Sequence, residues 1–198
     1  MRSRVTRSPQ RPAPDYGHAG SLELADVLLI SGRPGVGKTT LLKRLAQLFP
    51  GRVGGFYTEE LREGGHRVGF ALVTLSGQRA VFAHVDFPAK YRVGRYGVLL
   101  EVLDEVGIPA MRESAVSGRA VLVDEVGKME LLSATFRETL EEVASGPAPL
   151  VATILAGPHP WADRFRRQPR VTELVLTPAN RNAVLEQARA WLTRRVAD

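Results

Sequence analysis

The junction ADVLLISGRPGVGKTT, residues 25–40, constrains this chain more than any other stretch. Val27, Leu28, Leu29 and Ile30 form a short continuous apolar run, the pattern of a strand buried on both faces of a parallel sheet. After it, Leu41, Leu42, Leu45 and Leu48 recur at helical spacing until Pro50-Gly51 ends the pattern. Between them lies G-x-x-x-x-G-K-[ST], with Gly32, Gly37, Lys38 and Thr39 at its fixed places and Thr40 as a second hydroxyl. A strand that turns through glycines into a helix is the context a phosphate-binding loop requires. The segment Gly32, Arg33, Pro34, Gly35, Val36, Gly37 can wrap so that its N–H groups point inward at phosphate oxygens, and the helix N-terminus adds partial positive charge. Lys38 is then placed to neutralise the β and γ phosphates, and Thr39 to hold Mg²⁺ through its hydroxyl.

The 198 residues suit one domain with a full hydrophobic core. With no cysteine, disulfides, thiolate metal sites and thiol catalysis are excluded. No apolar run approaches the length of a membrane span, and the N-terminus lacks the apolar core of a secretory signal, so a cytoplasmic protein without a membrane anchor is expected. The net charge of +6 raises nucleic acid as a partner. Half of it, however, lies in residues 1–20, where Arg2, Arg4, Arg7 and Arg11 face only Asp15 in a Pro-containing stretch. That stretch reads as a basic, disordered extension ahead of a single domain spanning residues 21–198. Nucleic acid is therefore a possible but not the favoured partner, and a monomer is expected.

Along the chain, residues 52–60, 66–75 and 79–84 read as antiparallel strands joined by tight turns, a β-meander that interrupts the βα alternation. DFPAKYRVGRYGV reads as a loop, and residues 97–117 as helical with a break near Gly107-Ile108-Pro109. A buried strand at 120–123 follows, then helix 134–144, strand 150–155, helix 161–167, strand 172–176 and a last helix from 178 to about 195. Such alternation predicts an α/β fold with a doubly wound, mainly parallel sheet and an antiparallel meander inserted.

A phosphate loop needs a metal-holding carboxylate at the end of another parallel strand. AVLVDE supplies it, because four apolar residues carry Asp124 to the strand's C-terminal edge, where open α/β sheets bind ligands. Asp124 is expected to hold Mg²⁺ through water, and Glu125 to orient and deprotonate an attacking water. DEVG also satisfies D-x-x-G, the metal and γ-phosphate element of GTPases. The chain has no N-K-x-D to read guanine, and Lys128 follows the glycine where many GTPases keep glutamine, which weighs against a GTPase switch. A nucleotide or small-molecule kinase is the stronger rival, since phosphoryl transfer uses the same cradle.

The stretches GRPGVGKTTLL, GGFYTEELREGGHRVGF, VGRYGV, VDEVGKMEL, ATI and LTPANRN, in this order, resemble the signatures of the cancer-related nucleoside-triphosphatase family. The resemblance runs from about Ala25 to Trp191, and GFYTEE and DEVGKMEL are not general features of phosphate-loop proteins. It implies a RecA-like P-loop fold and Mg²⁺-dependent hydrolysis of ATP, GTP, CTP and UTP to diphosphate and phosphate with little base selectivity. It also implies nucleotide contacts at Gly32 to Thr39 and at Asp124, Glu125, Gly127 and Lys128. The basic extension before Ser21 is additional to the family pattern, and residues 157–160 form a variable lid segment.

Further residues carry more than one reading. Glu59 and Glu60, after the strand ending GGFYT, are either an alternative base or contact to the metal's water shell, or a charged hairpin end. Thr153, in LVATIL, is either a γ-phosphate sensor on a strand between the two motif strands or a hydroxyl satisfied within the sheet. Arg164 and Arg166, with Arg167 and Arg170, are lid arginines, a solvated basic face or a nucleic-acid contact. Asn180 and Arg181 either touch base or ribose, with Arg181 stacking on the base, or cap the last helix. Lys128 either binds phosphate or pairs with Glu125. A nucleic-acid-stimulated ATPase stays as a further alternative function.

Overall fold

The computed structural model describes residues 27–196, so the basic stretch 1–20 and the exact start of the domain lie outside the described residues. The first strand, β1 (Val27–Ser31), is buried along its whole length. It turns through the glycine-rich loop into α1 (Lys38–Leu48). Gly37, the residue before that helix, sits at φ 106°, left-handed backbone that a side chain disfavours.

The meander follows as β2 (Val53–Glu63), β3 (His66–Thr74) and β4 (Arg79–His84), close to the expected bounds. One expectation fails here: DFPAKYRVGRYGV is not all loop but contains β5 (Tyr91–Val93) and β6 (Tyr96–Val98), joined by the two-residue turn Gly94-Arg95. Three-residue strands are too short for alternation to reveal them, and Pro88 and Gly94 read as breakers.

A second correction concerns the break near Pro109. The chain runs from α2 (Leu100–Val102) through a π turn (Leu103–Gly107) straight into α3 (Ile108–Val116). Ile108 donates to the Leu103 carbonyl, five residues back, and Pro109 then falls in the first turn of α3, where a missing N–H costs little.

Then come β7 (Ala120–Val126), a 3₁₀ turn (Glu130–Leu132), α4 (Ala134–Ser145), β8 (Leu150–Ile154), α5 (Pro160–Arg166), β9 (Val171–Val175) and α6 (Arg181–Thr193). Ser133 caps α4, its Oγ accepting from the Phe136 N–H at 3.0 Å.

All nine strands form one sheet in the order β5-β6-β4-β3-β2-β7-β8-β1-β9. From β2 to β9 the pairings are parallel, and β3, β4, β6 and β5 extend the β2 edge antiparallel. Helices cover both faces, as a parallel sheet needs. Against one face pack Leu103, Met111, Phe136, Leu140, Trp161 and Phe165 from α3, α4, α5 and the π turn. Against the other, Leu41, Leu42, Leu45, Leu185 and Trp191 come from α1 and α6. The expected doubly wound α/β architecture is thus present. Its decisive detail is that β8 lies between β1 and β7, so the ends of three parallel strands converge on one edge.

Candidate active site

At that edge β1 delivers the glycine-rich loop, β7 delivers Asp124 and Glu125, and β8 delivers Thr153. The β7–β8 pairing slips by one residue between Val123 and Val126, which puts the two acidic residues on an irregular stretch. Such a bulge re-aims side chains that a regular strand would send to opposite faces. The Asp124–Glu125 peptide bond is cis.

Asp124 is 1% exposed and accepts two hydroxyl hydrogen bonds. Thr39 Oγ1 donates to Oδ2 at 2.6 Å, and Thr153 Oγ1 donates to Oδ1 at 2.5 Å. Burial pushes the Asp124 carboxyl up from the usual carboxylate range, while the Thr153 and Thr39 hydroxyls pull it back. A carboxylate kept out of water and held by two hydroxyls is a place where a cation is stabilised.

Lys38 is buried at the start of α1. Its ammonium donates to the Gly32 carbonyl at 3.2 Å and stands 3.1 Å from Glu125 Oε2. One cation therefore ties the phosphate loop to β7. Glu125 is partly exposed, so of the two carboxylates it is the one that water can reach.

Arg181, first residue of α6, reaches back to the loop, with Nε donating to the Val36 carbonyl at 2.9 Å. Asn180 shapes the turn before α6: its Oδ1 accepts from the Thr177 N–H at 2.7 Å and its Nδ2 donates to the Val175 carbonyl at 2.9 Å. In the loop Arg33, Pro34 and Gly35 are exposed, Val36 is buried, and Thr40 is exposed beyond Thr39. The oxygen-rich set of Thr39, Asp124 and Glu125 suits a hard divalent ion. Among the described residues no three His, Cys, Asp or Glu side chains converge as a metal cage.

These features meet a known pattern in the comparisons. A family described as NTPase matches residues 27–188. The chain belongs to this nucleoside-triphosphatase family. Nucleoside-triphosphatase THEP1 of Thermotoga maritima is 42% identical over 160 residues, covering 81% of this chain and 91% of the relative. A cancer-related nucleoside-triphosphatase homolog of Bos taurus is 37% identical over 180 residues, covering 83% and 95%. The crystal structure of THEP1 from Aquifex aeolicus superposes with a TM-score of 0.77 at 37% identity, covering 84% of this chain and 98% of that one. The solution structure of a human cancer-related nucleoside triphosphatase does so with 0.75 at 33% identity, covering 87% and 100%. The fold is that of the P-loop nucleoside-triphosphatases, and the family resemblance seen in the motifs holds.

The other expected site residues distribute unevenly. Lys38, Thr39, Asp124, Glu125 and Thr153 form one bonded cluster, and Arg181 joins it through Val36. Glu59 instead pairs with Lys43 at 2.8 Å and lies 3.9 Å from Arg79. Glu60 is clamped by Arg62 and Arg67 at 2.6 and 2.8 Å, and the Arg67 hydrogen bond first of all, then Arg62, holds its carboxyl below the usual range. Arg164 lies 3.4 Å from Glu141. Arg166 bonds Asp163 at 2.9 Å, lies near Glu173 and donates to the Leu155 carbonyl. Gly127 is buried and Lys128 exposed.

One residue escaped the motif reading. Glu130 is 6% exposed, and its Oε2 accepts from the Gly127 N–H at 3.1 Å. An acid inside VGKMELL, flanked by Met129 and by Leu131 and Leu132, was the available signal, because apolar neighbours on both sides foretell burial.

Proposed function

We propose that this chain hydrolyses nucleoside triphosphates at the γ-phosphate, using Mg²⁺ and accepting ATP, GTP, CTP and UTP alike. The observation that carries the reading is the convergence of Lys38, Thr39, Asp124 and Glu125 at the C-terminal edge of β1, β7 and β8. The residues present fit Mg²⁺: Thr39 and, through water, Asp124 would hold it. When bound, it would neutralise the β- and γ-phosphate oxygens and so favour departure of the diphosphate.

Lys38 is shared between Gly32 and Glu125, and a γ-phosphate competes with both for its ammonium. As the phosphate takes that charge, Glu125 loses its ion-pair partner and becomes a better base. Glu125 then takes the proton of an attacking water while the water oxygen bonds to γ-phosphorus. The bond from γ-phosphorus to the bridging oxygen breaks, and its electron pair leaves with the diphosphate. The loop amides and Lys38 stabilise the charge that develops.

What borders the loop supports the reading that different bases are tolerated. The Asn180 amide is spent on its own turn, leaving it little to read a base edge with. Arg181 offers a flat guanidinium, which stacks on any base.

The test is phosphate release from the four triphosphates with Mg²⁺ or with chelator, with and without nucleotide acceptors and polynucleotides. Lys38→Ala and Glu125→Gln should each remove turnover by about 10²-fold or more. Glu125→Gln should still bind nucleotide. Release that depends on an acceptor or a polynucleotide would replace the hydrolase reading by a kinase or a coupled ATPase.

A further inference from the structure

Glu130 has no part in that mechanism, yet its carboxyl lies against the backbone that follows the base. It opens the 3₁₀ turn, and its Oε2 takes the Gly127 N–H. The same turn is closed by Leu131 donating to the Gly127 carbonyl at 3.0 Å and by Ser133 donating to the Glu130 carbonyl at 3.0 Å. Gly127 is thus held at both its N–H and its carbonyl by residues 130 and 131. A Cβ placed on Gly127 would stand 2.9 Å from Glu130 Oε2 and 3.1 Å from Glu125 Oε1. The two carboxyl groups therefore flank one bare Cα.

We propose that Glu130 is a positioning residue for Glu125: by accepting the Gly127 N–H it fixes the turn after β7 and holds the Glu125 carboxylate where it meets the attacking water. The proposal rests on the reading of Glu125 as base. Burial pushes the Glu130 carboxyl up to about 8, with Glu125 and Asp124 adding to the rise. A neutral acid serves this role better than a third ionised carboxylate, since it accepts the amide hydrogen bond without repelling the base.

Three variants test it: Glu130→Gln, which keeps an acceptor oxygen; Glu130→Met, which keeps the bulk without it; and Gly127→Ala, which leaves Glu130 intact but crowds both carboxyls. Glu130→Gln should retain turnover within about 3-fold, whereas Glu130→Met and Gly127→Ala should lower kcat by about 10-fold or more with KM changed less than about 2-fold. On a Glu125→Gln background, Glu130→Met should cost less than about 2-fold, because the group it positions is already gone.

Equal losses in Gln and Met variants, a loss in KM rather than kcat, or an undiminished loss on the Glu125→Gln background would overturn the proposal. If Glu130→Met fails to fold, Gly127→Ala decides: full kcat there refutes the idea that this turn places the base. Full turnover in Glu125→Gln alone would remove the base assignment and this proposal with it. Loss in Glu125→Gln with no effect of Glu130→Met would remove only the proposal.

Discussion

Replacing Glu130 by Gln should change how the stability of the fold depends on pH. An unfolded glutamate has a carboxyl near 4.5, and burial raises that of Glu130 to about 8 in the fold. Between those values the native state keeps a proton that the unfolded state has lost. Wild-type stability must then fall as pH rises, at up to about 1.4 kcal/mol per pH unit, and level off above the folded value. Gln carries no charge at any of these pH values, so the Glu130→Gln variant lacks this contribution while sharing the other titrating groups. From about pH 5.5 to about pH 7.5 the wild type should lose roughly 2 to 3 kcal/mol relative to the variant. For a domain of this size, that is a relative fall in Tm of about 5 to 10 °C. The assay is urea unfolding of both proteins across this range, in chelator and without nucleotide, so that no ligand shifts the equilibrium. A difference curve that is flat or rises with pH would show that Glu130 is ionised in the fold or that its site is not dry.

Two further substitutions probe the neighbours. Thr153→Val removes the hydroxyl that donates to Asp124 Oδ1 at 2.5 Å while keeping the shape; it should cost about 1.5 to 3 kcal/mol in urea unfolding at neutral pH, and a loss below about 0.5 kcal/mol would mean that Asp124 does not depend on it. Arg181→Ala removes the bond to the Val36 carbonyl. It should raise KM for all four triphosphates by about 5-fold with kcat unchanged. A rise confined to one base in steady-state kinetics would instead assign Arg181 to base-edge recognition.

The phosphate loop was legible in sequence because its chemistry is local. Four defining residues fall within eight positions, and the strand and helix beside them announce themselves by apolar runs. Asp124 and Glu125 were legible at one remove, since an acidic pair after AVLV acquires meaning only once a phosphate loop is known. The role of Thr153 depends on β8 inserting between β1 and β7, a choice of strand order made by long-range packing rather than by residues near 153. Glu59 and Glu60 sit in a stretch shared with the family, and only the structure shows that Lys43, Arg62, Arg67 and Arg79 take up their charge. Arg164 and Arg166 read in sequence as lid, solvated or nucleic-acid-contacting cations; in the structure Arg164 pairs with Glu141, 23 residues away, and Arg166 with Asp163 on its own helix and Glu173 on β9.

The cluster solves a problem that any such site faces, which is to keep several acids together when two of them, Asp124 and Glu130, are buried. Each carboxyl has a different kind of partner: two hydroxyls for Asp124, an ammonium for Glu125 and a backbone amide for Glu130. Were all three ionised, the single buried lysine would face three negative charges, and burial would magnify the repulsion. With a proton on Glu130, Lys38 faces two carboxyl groups at most, those of Asp124 and Glu125. Burial disfavours the charged form of Asp124, and a divalent ion at its oxygens favours it, so the site is unbalanced in the sense that a cation corrects. The lysine, in contrast, bonds an uncharged carbonyl as well as Glu125, and an arriving phosphate draws it from both. Metal and phosphate thus each relieve a different strain in the same charge set, which is why their binding should be cooperative and why losing either Lys38 or Asp124 should weaken the hold on both.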